Sequence, residues 1–203
     1  MERLLRIRHL DRLRLEAVDH TGCDQEWYTT RWQRLSGCGP TTAASLSLLQ
    51  FFPSVPLSKE SALLRMEETW KYVTPNMRGV DTLERFKTGF SAYLAEHSIQ
   101  HTVHCLPIPK AKDKRPLIED SIHFIREALE KDIPVPFLNL HNGQVRNLEA
   151  YHWVLVTAIR CTADHSQVEV EIVDGGKVFF IDLILWLTSS RAGGGFLYFE
   201  AIL

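Results

Sequence analysis

The chain has 203 residues, 45% of them hydrophobic and 24% charged, with 23 Lys and Arg against 25 Asp and Glu. The formal net charge of −2 excludes a disordered polyelectrolyte and argues against nucleic acid as the main partner, because phosphate binding leaves a basic footprint. No run of about 18 apolar residues occurs, so no membrane span is expected, and a length near 200 fits one domain or two small lobes sharing a cleft.

The first segment, Met1 to Leu15, scatters arginines at 3, 6, 8, 12 and 14 among leucines. It lacks the continuous apolar centre of a secretory signal, so a cytoplasmic location is the expectation. Its period-two alternation suggests two short strands, Leu5–Ile7 and Leu13–Leu15. Residues 20 to 37 read as an irregular, aromatic-rich loop. Gly37-Cys38-Gly39-Pro40 then opens a small-residue, leucine-rich helix to about Phe52, stopped by Pro53 and Pro56. Leu57 to Tyr72 carries a second helical pattern that opens at Ser58. Asp81 to His97 is a third, with Asp81 as N-cap and Leu83, Phe86, Phe90, Tyr93 and Leu94 on one face.

Ile99 to Ile108 reads as a strand and 107 to 116 as a lysine-rich loop. Leu117 to Lys131 is a fourth helix, with Ile118, Ile122, Ile125 and Leu129 in register. From Pro134 the pattern changes to strands, at Val135–Leu140, Trp153–Arg160, Val168–Val173 and Val178–Ile181, the last two joined by an Asp174-Gly175-Gly176-Lys177 turn. A short helix over Asp182–Leu187, a Gly193-Gly194-Gly195 turn or hinge and a strand over Phe196–Leu203 complete the chain. Helices first and strands second give an α+β class. The chain reads as one domain, 1–203, with a mainly helical lobe to about 131 and a mainly strand lobe from about 132.

Cys23, Cys38, Cys105 and Cys161 form no Cys-x-x-Cys pair, so a zinc ribbon has no support, and neither metal nor cofactor is expected. Cys38 differs from the others by its place at a helix start. Free N–H groups and the positive dipole end there favour a thiolate, and the same N–H groups can receive an oxyanion. A thiolate needs a base. Of nine histidines, His152 sits at the mouth of the apolar run Trp153-Val154-Leu155-Val156. Asp174, at the end of the next strand, would reach its ring in an antiparallel pairing. Trp27, Tyr28 and Trp32 read as cleft lining or core, and His101, His104, Asn139 and His141 as surface or loop residues.

The run Gln33-Arg34-Leu35-Ser36-Gly37-Cys38-Gly39-Pro40-Thr41-Thr42 resembles the nucleophile segment of papain-like cysteine peptidases. It is similar above all to the bacterial branch that includes bacteriocin-leader-processing peptidases, whose cysteine helix opens with Cys-Gly-Pro. Tyr151-His152-Trp153-Val154 resembles that branch's histidine strand and Val173-Asp174-Gly175 its acidic third member. The resemblance spans about Gln33 to Gly176. It implies a papain-like fold, a nucleophile helix packed on an antiparallel sheet or half-barrel. It also implies a Cys38 nucleophile, a His152 proton shuttle and an Asp174 that orients the ring. The family's oxyanion-hole glutamine, shared with the Cys38 N–H, maps to Gln33, five residues before Cys38 rather than the usual six, with Gln25 as the substitute. The expected activity is hydrolysis of a peptide or other amide through a thioester. A catalytically silent peptide-binding module and an acyltransferase on the same triad are the alternatives.

Overall fold

The computed structural model describes residues 3–16, 18–54, 56–162 and 165–202. Among these residues, six α-helices and seven strands give a mixed helix and antiparallel-sheet architecture. The helices are α1 (Arg31–Ser36), α2 (Cys38–Leu46), α3 (Lys59–Trp70), α4 (Leu83–Glu96), α5 (Ile118–Glu130) and α6 (Leu183–Ser189). The strands are β1 (Arg3–Arg6), β2 (His101–Ile108), β3 (Val135–Asn139), β4 (His152–Cys161), β5 (Val168–Asp174), β6 (Lys177–Asp182) and β7 (Gly194–Ala201). The open sheet runs β2-β7-β3-β4-β5-β6, and β1 pairs with the far half of β4, Arg6 opposite Ala158. All ladders are antiparallel.

Strand β4 holds the centre of this sheet. Residues 152 to 159 are all buried: α2 and α5 pack against β4, and β3 and β5 flank it within the sheet. Trp153 stacks on Phe86 of α4 with ring centroids 4.4 Å apart, joining helices and sheet in one hydrophobic cluster. Helix α4 buries Phe86, Phe90, Tyr93 and Leu94 on one face, and α5 buries Ile122, Ile125 and Leu129.

Several expectations are corrected. The N-terminal alternation yields one strand, β1. Leu10–Leu13 is instead a 3-10 turn, and Arg14 and Leu15 make only single bridges, to Thr21 and Leu57. The stretch read as a loop contains α1, whose Thr30 cap accepts from the Gln33 N–H. Thr82, not Asp81, caps α4: its hydroxyl accepts from the Arg85 N–H, while Asp81 forms an ion pair with Arg85. Helix α2 gives way at Ser47–Phe51 to a π-helical turn, where buried Ser47 bonds the Tyr93 hydroxyl at 2.8 Å. Within the first 131 residues β1 and β2 join the sheet, β2 in the stretch expected to be a strand. The last strand begins earlier than expected, at Gly194, and the expected end at Leu203 lies outside the described residues.

Candidate active site

Cys38 is the first residue of α2, and only Gly37 separates it from α1. Two steric contacts fix that junction. A Cβ on Gly37 would lie 2.3 Å from the Gln33 carbonyl and 2.8 Å from the Tyr28 ring, and one on Gly39 would lie 2.7 Å from the Val80 side chain. Tyr28 is fully buried and donates to the Met66 carbonyl. Val80 is held by the Trp153 indole N–H, which donates to its carbonyl at 2.5 Å. The Thr69 hydroxyl of α3 donates to the Pro40 carbonyl. The glycines are thus sites of close packing, and the nucleophile end of α2 is wedged between α1, α3 and β4. As the first helical residue, Cys38 has an N–H with no intrahelical partner.

His152 opens β4, opposite Asn139 of β3. The residue before it, Tyr151, has φ of 55°, an unusual conformation for a bulky residue, which turns the incoming loop sharply into the strand. Asp174 ends β5. The Gly175-Gly176 turn that follows has φ of 51° and 79°, values a two-residue hairpin demands and glycine adopts without strain. Across this frame His152 Nε2 meets Asp174 Oδ1 at 2.7 Å.

Nε2 is therefore committed to Asp174, and Nδ1 is the ring nitrogen left for the thiol. Burial by itself would lower the pKa of His152. The hydrogen bond with Asp174, together with the interaction with the Cys38 thiol and the charges of both, outweighs it and raises the imidazole to about 10. The other three thiols are pushed upward by desolvation, Cys23 to about 12, with Cys105 and Cys161 shifted in the same direction. All four cysteines are free.

The structure brings Cys38, His152 and Asp174 to one cavity of about 180 Å³. It does not bring Gln33 there. The Gln33 amide closes a capping box with Thr30, accepting from its N–H and hydroxyl, and its Nε2 donates to Glu67 at 3.1 Å. The local demand of the α1 N-terminus holds this side chain outside the cavity. Gln25 lines the cavity instead. Asp24 caps the 3-10 turn Gln25–Trp27 by accepting from the Glu26 N–H, and this turn carries Gln25 back towards Cys38. Gln25 Oε1 is buried without a hydrogen-bond partner, which leaves the amide uncommitted to the protein. The Asp24-Gln25-Glu26 cap pattern was the available sequence signal, but its separation of thirteen residues from Cys38 concealed it.

Cys38 also forms a wall of a second cavity of about 260 Å³, which His152 does not line and where Arg78 and Asp81 join a mainly hydrophobic wall. Trp32, Leu35, Met77 and Tyr151 line it, with Leu35 71% and Met77 90% exposed. Asn139 and His141 both hold the 140–151 loop, the role expected of them, and neither lines the cavity. Asn139 is fully buried: it accepts from the His141 N–H and the Trp186 indole and donates to the Glu149 carbonyl, so it pins the 140–151 loop that ends at His152. His141 Nδ1 accepts from the backbone of Gly143 and Arg191 within that loop's anchor.

No helix of the described residues is long and apolar enough to cross a membrane. Among them no group of three or more His, Cys, Asp and Glu side chains has an arrangement able to hold a metal ion. Compared with protein-family models and with curated proteins, the chain matches none.

Proposed function

We propose that this chain is a papain-like cysteine hydrolase that cleaves a peptide or other amide bond. The observation that carries the reading is the imidazole of His152, bonded through Nε2 to Asp174 and acted on by Cys38. A ring protonated well above neutral pH beside a thiol at a helix start favours a thiolate–imidazolium pair.

In this reading the Cys38 thiolate attacks the amide carbonyl carbon. The oxyanion is received by the Cys38 N–H and the uncommitted amide of Gln25. His152 gives its Nδ1 proton to the departing nitrogen, leaving a thioester on Cys38 and a neutral imidazole. Water then attacks the thioester while His152 takes its proton, which restores the ion pair and releases the acid. Asp174 accepts from Nε2–H throughout, holding the ring and its charge.

The test is incubation with a diverse peptide mixture, read by mass spectrometry. Cleavage by the wild type, lost in Cys38→Ala, with a transient acyl adduct on Cys38, is the expected result. Peptide binding unchanged by Cys38→Ala and without cleavage would replace this reading with a silent binding module. New amide products on addition of an amine would shift it to acyl transfer.

A further inference from the structure

The two sides of Cys38 differ in chemistry. A second cavity, which includes Cys38 but not His152, is lined by Trp32, Leu35, Met77 and Tyr151 together with Arg78 and Asp81. On the His152 side the wall carries Asp24, Glu26 and Glu149 besides Asp174, and no lysine or arginine lines it. Asp174 is matched by His152. Of the other three carboxylates, none forms an ion pair among the described residues: Asp24 accepts only from the Glu26 N–H, and Glu26 and Glu149 are exposed. The unpartnered, buried Oε1 of Gln25 adds a further acceptor to the same wall.

The direction of a bound substrate follows from proton transfer. The departing nitrogen must receive the proton of His152, so the leaving group occupies the side that His152 lines. The acyl part then lies across Cys38 in the second cavity, against Trp32, Leu35, Met77 and Tyr151. A cleft lined by one sign of charge beside low-dielectric walls focuses its field on whatever enters.

We propose that the scissile amide joins an apolar acyl part to a leaving group that carries a positive charge close to the bond, a lysine- or arginine-like side chain or another amine. This rests on the hydrolase reading above. Glu26 and Glu149 are the specificity-determining residues, and Asp24, tied to its helical cap, adds to the field.

The test has two arms. In the first, peptides with one apolar acyl part and lysine, alanine or glutamate after the scissile bond are compared. Lysine is expected to exceed glutamate by about tenfold in kcat/KM at low salt, with the gap narrowing as salt rises. The double variant Glu26→Lys/Glu149→Lys is expected to reverse the order. In the second arm, the rate of mixed-disulfide formation at Cys38 is mapped with trimethylammonium-bearing and sulfonate-bearing methanethiosulfonates. Each transfers its thioalkyl group to the thiolate and releases methanesulfinate. The cationic reagent is expected to react faster with the wild type, and the double variant to reverse that ratio. Equal cleavage of the three peptides, or a reagent ratio unmoved by the charge reversal, would overturn the proposal. Absence of all cleavage would sink the hydrolase reading instead, and the reagent ratio would still decide the charge preference of the cleft.

Discussion

His152 Nε2 lies 2.7 Å from Asp174 Oδ1, across the ends of two neighbouring antiparallel strands. The imidazole titrates ordinarily near 6.5 and in the folded chain near 10. Folding therefore favours the protonated ring. That stabilisation is complete below about pH 6.5 and is lost as pH rises through about 10. Asp174→Ala is expected to be less stable than the wild type near pH 6.5, with the difference shrinking towards pH 10. Thermal denaturation of both proteins across this range checks it, and a difference that grows with pH would contradict the assignment. The same variant should lower kcat/KM by about 10²-fold by misplacing the ring.

The two glutamines should separate cleanly. Gln25→Ala is expected to reduce kcat by about 10² to 10³ while leaving the melting temperature nearly unchanged, as for loss of one oxyanion donor. Gln33→Ala should do the reverse, costing about 0.5–1 kcal/mol through the α1 capping box with little effect on kcat. Steady-state kinetics beside denaturant titration distinguishes them. A kcat loss confined to Gln33→Ala would return the oxyanion role to that residue.

These outcomes depend on what the sequence made legible. Helices α4 and α5 were readable because their apolar residues recur at helical spacing on one buried face. The β5–β6 hairpin was readable because Gly175-Gly176 sits between two alternating runs. Helix α1 was not, since Trp32 and Leu35 stay exposed and only Ser36 is buried, so no apolar stripe marks it. Cys38, His152 and Asp174 could be named from their local settings, a helix start and two strand ends. The resemblance puts Gln33 ahead of Gln25, whereas Gln25 is the one that lines the cavity. One side chain is taken by a local cap and the other is delivered by a fold-back of the chain, and neither event leaves a periodic pattern.

The Cys38 helix should tolerate no side chain at its entry. A Cβ at Gly37 would overlap the Gln33 carbonyl and the buried Tyr28 ring, and neither has room to retreat. Gly37→Ala is expected to cost about 1–3 kcal/mol, lowering the melting temperature by about 3–10 °C. It should also slow Cys38 alkylation in the folded protein by moving α2. An unchanged melting temperature would show that the α1–α2 junction is looser than the contacts imply.

The arginine-rich start has a structural task in β1. Arg6 forms a two-point ion pair with Glu171, whose carboxylate is buried and also accepts from the Thr157 hydroxyl at 2.9 Å. Arg6→Ala strands that carboxylate in the core. Because the Arg6 side chain is 43% exposed and screened by water, the expected cost is about 2 kcal/mol, below that of a fully buried pair. Urea denaturation should show the loss, and Glu171→Gln in the same background should recover part of it.

The most direct measurement of the central claim is cysteine mapping at pH 6 with limiting iodoacetamide, followed by peptide mass analysis. Burial pushes the Cys23 and Cys161 thiols up and partial desolvation by its neighbours does the same to the surface thiol of Cys105, whereas His152 faces Cys38. The account predicts carbamidomethylation at Cys38 ahead of the other three, slowed strongly in His152→Ala. First labelling at exposed Cys105, with Cys38 unreactive or indifferent to His152→Ala, would contradict it.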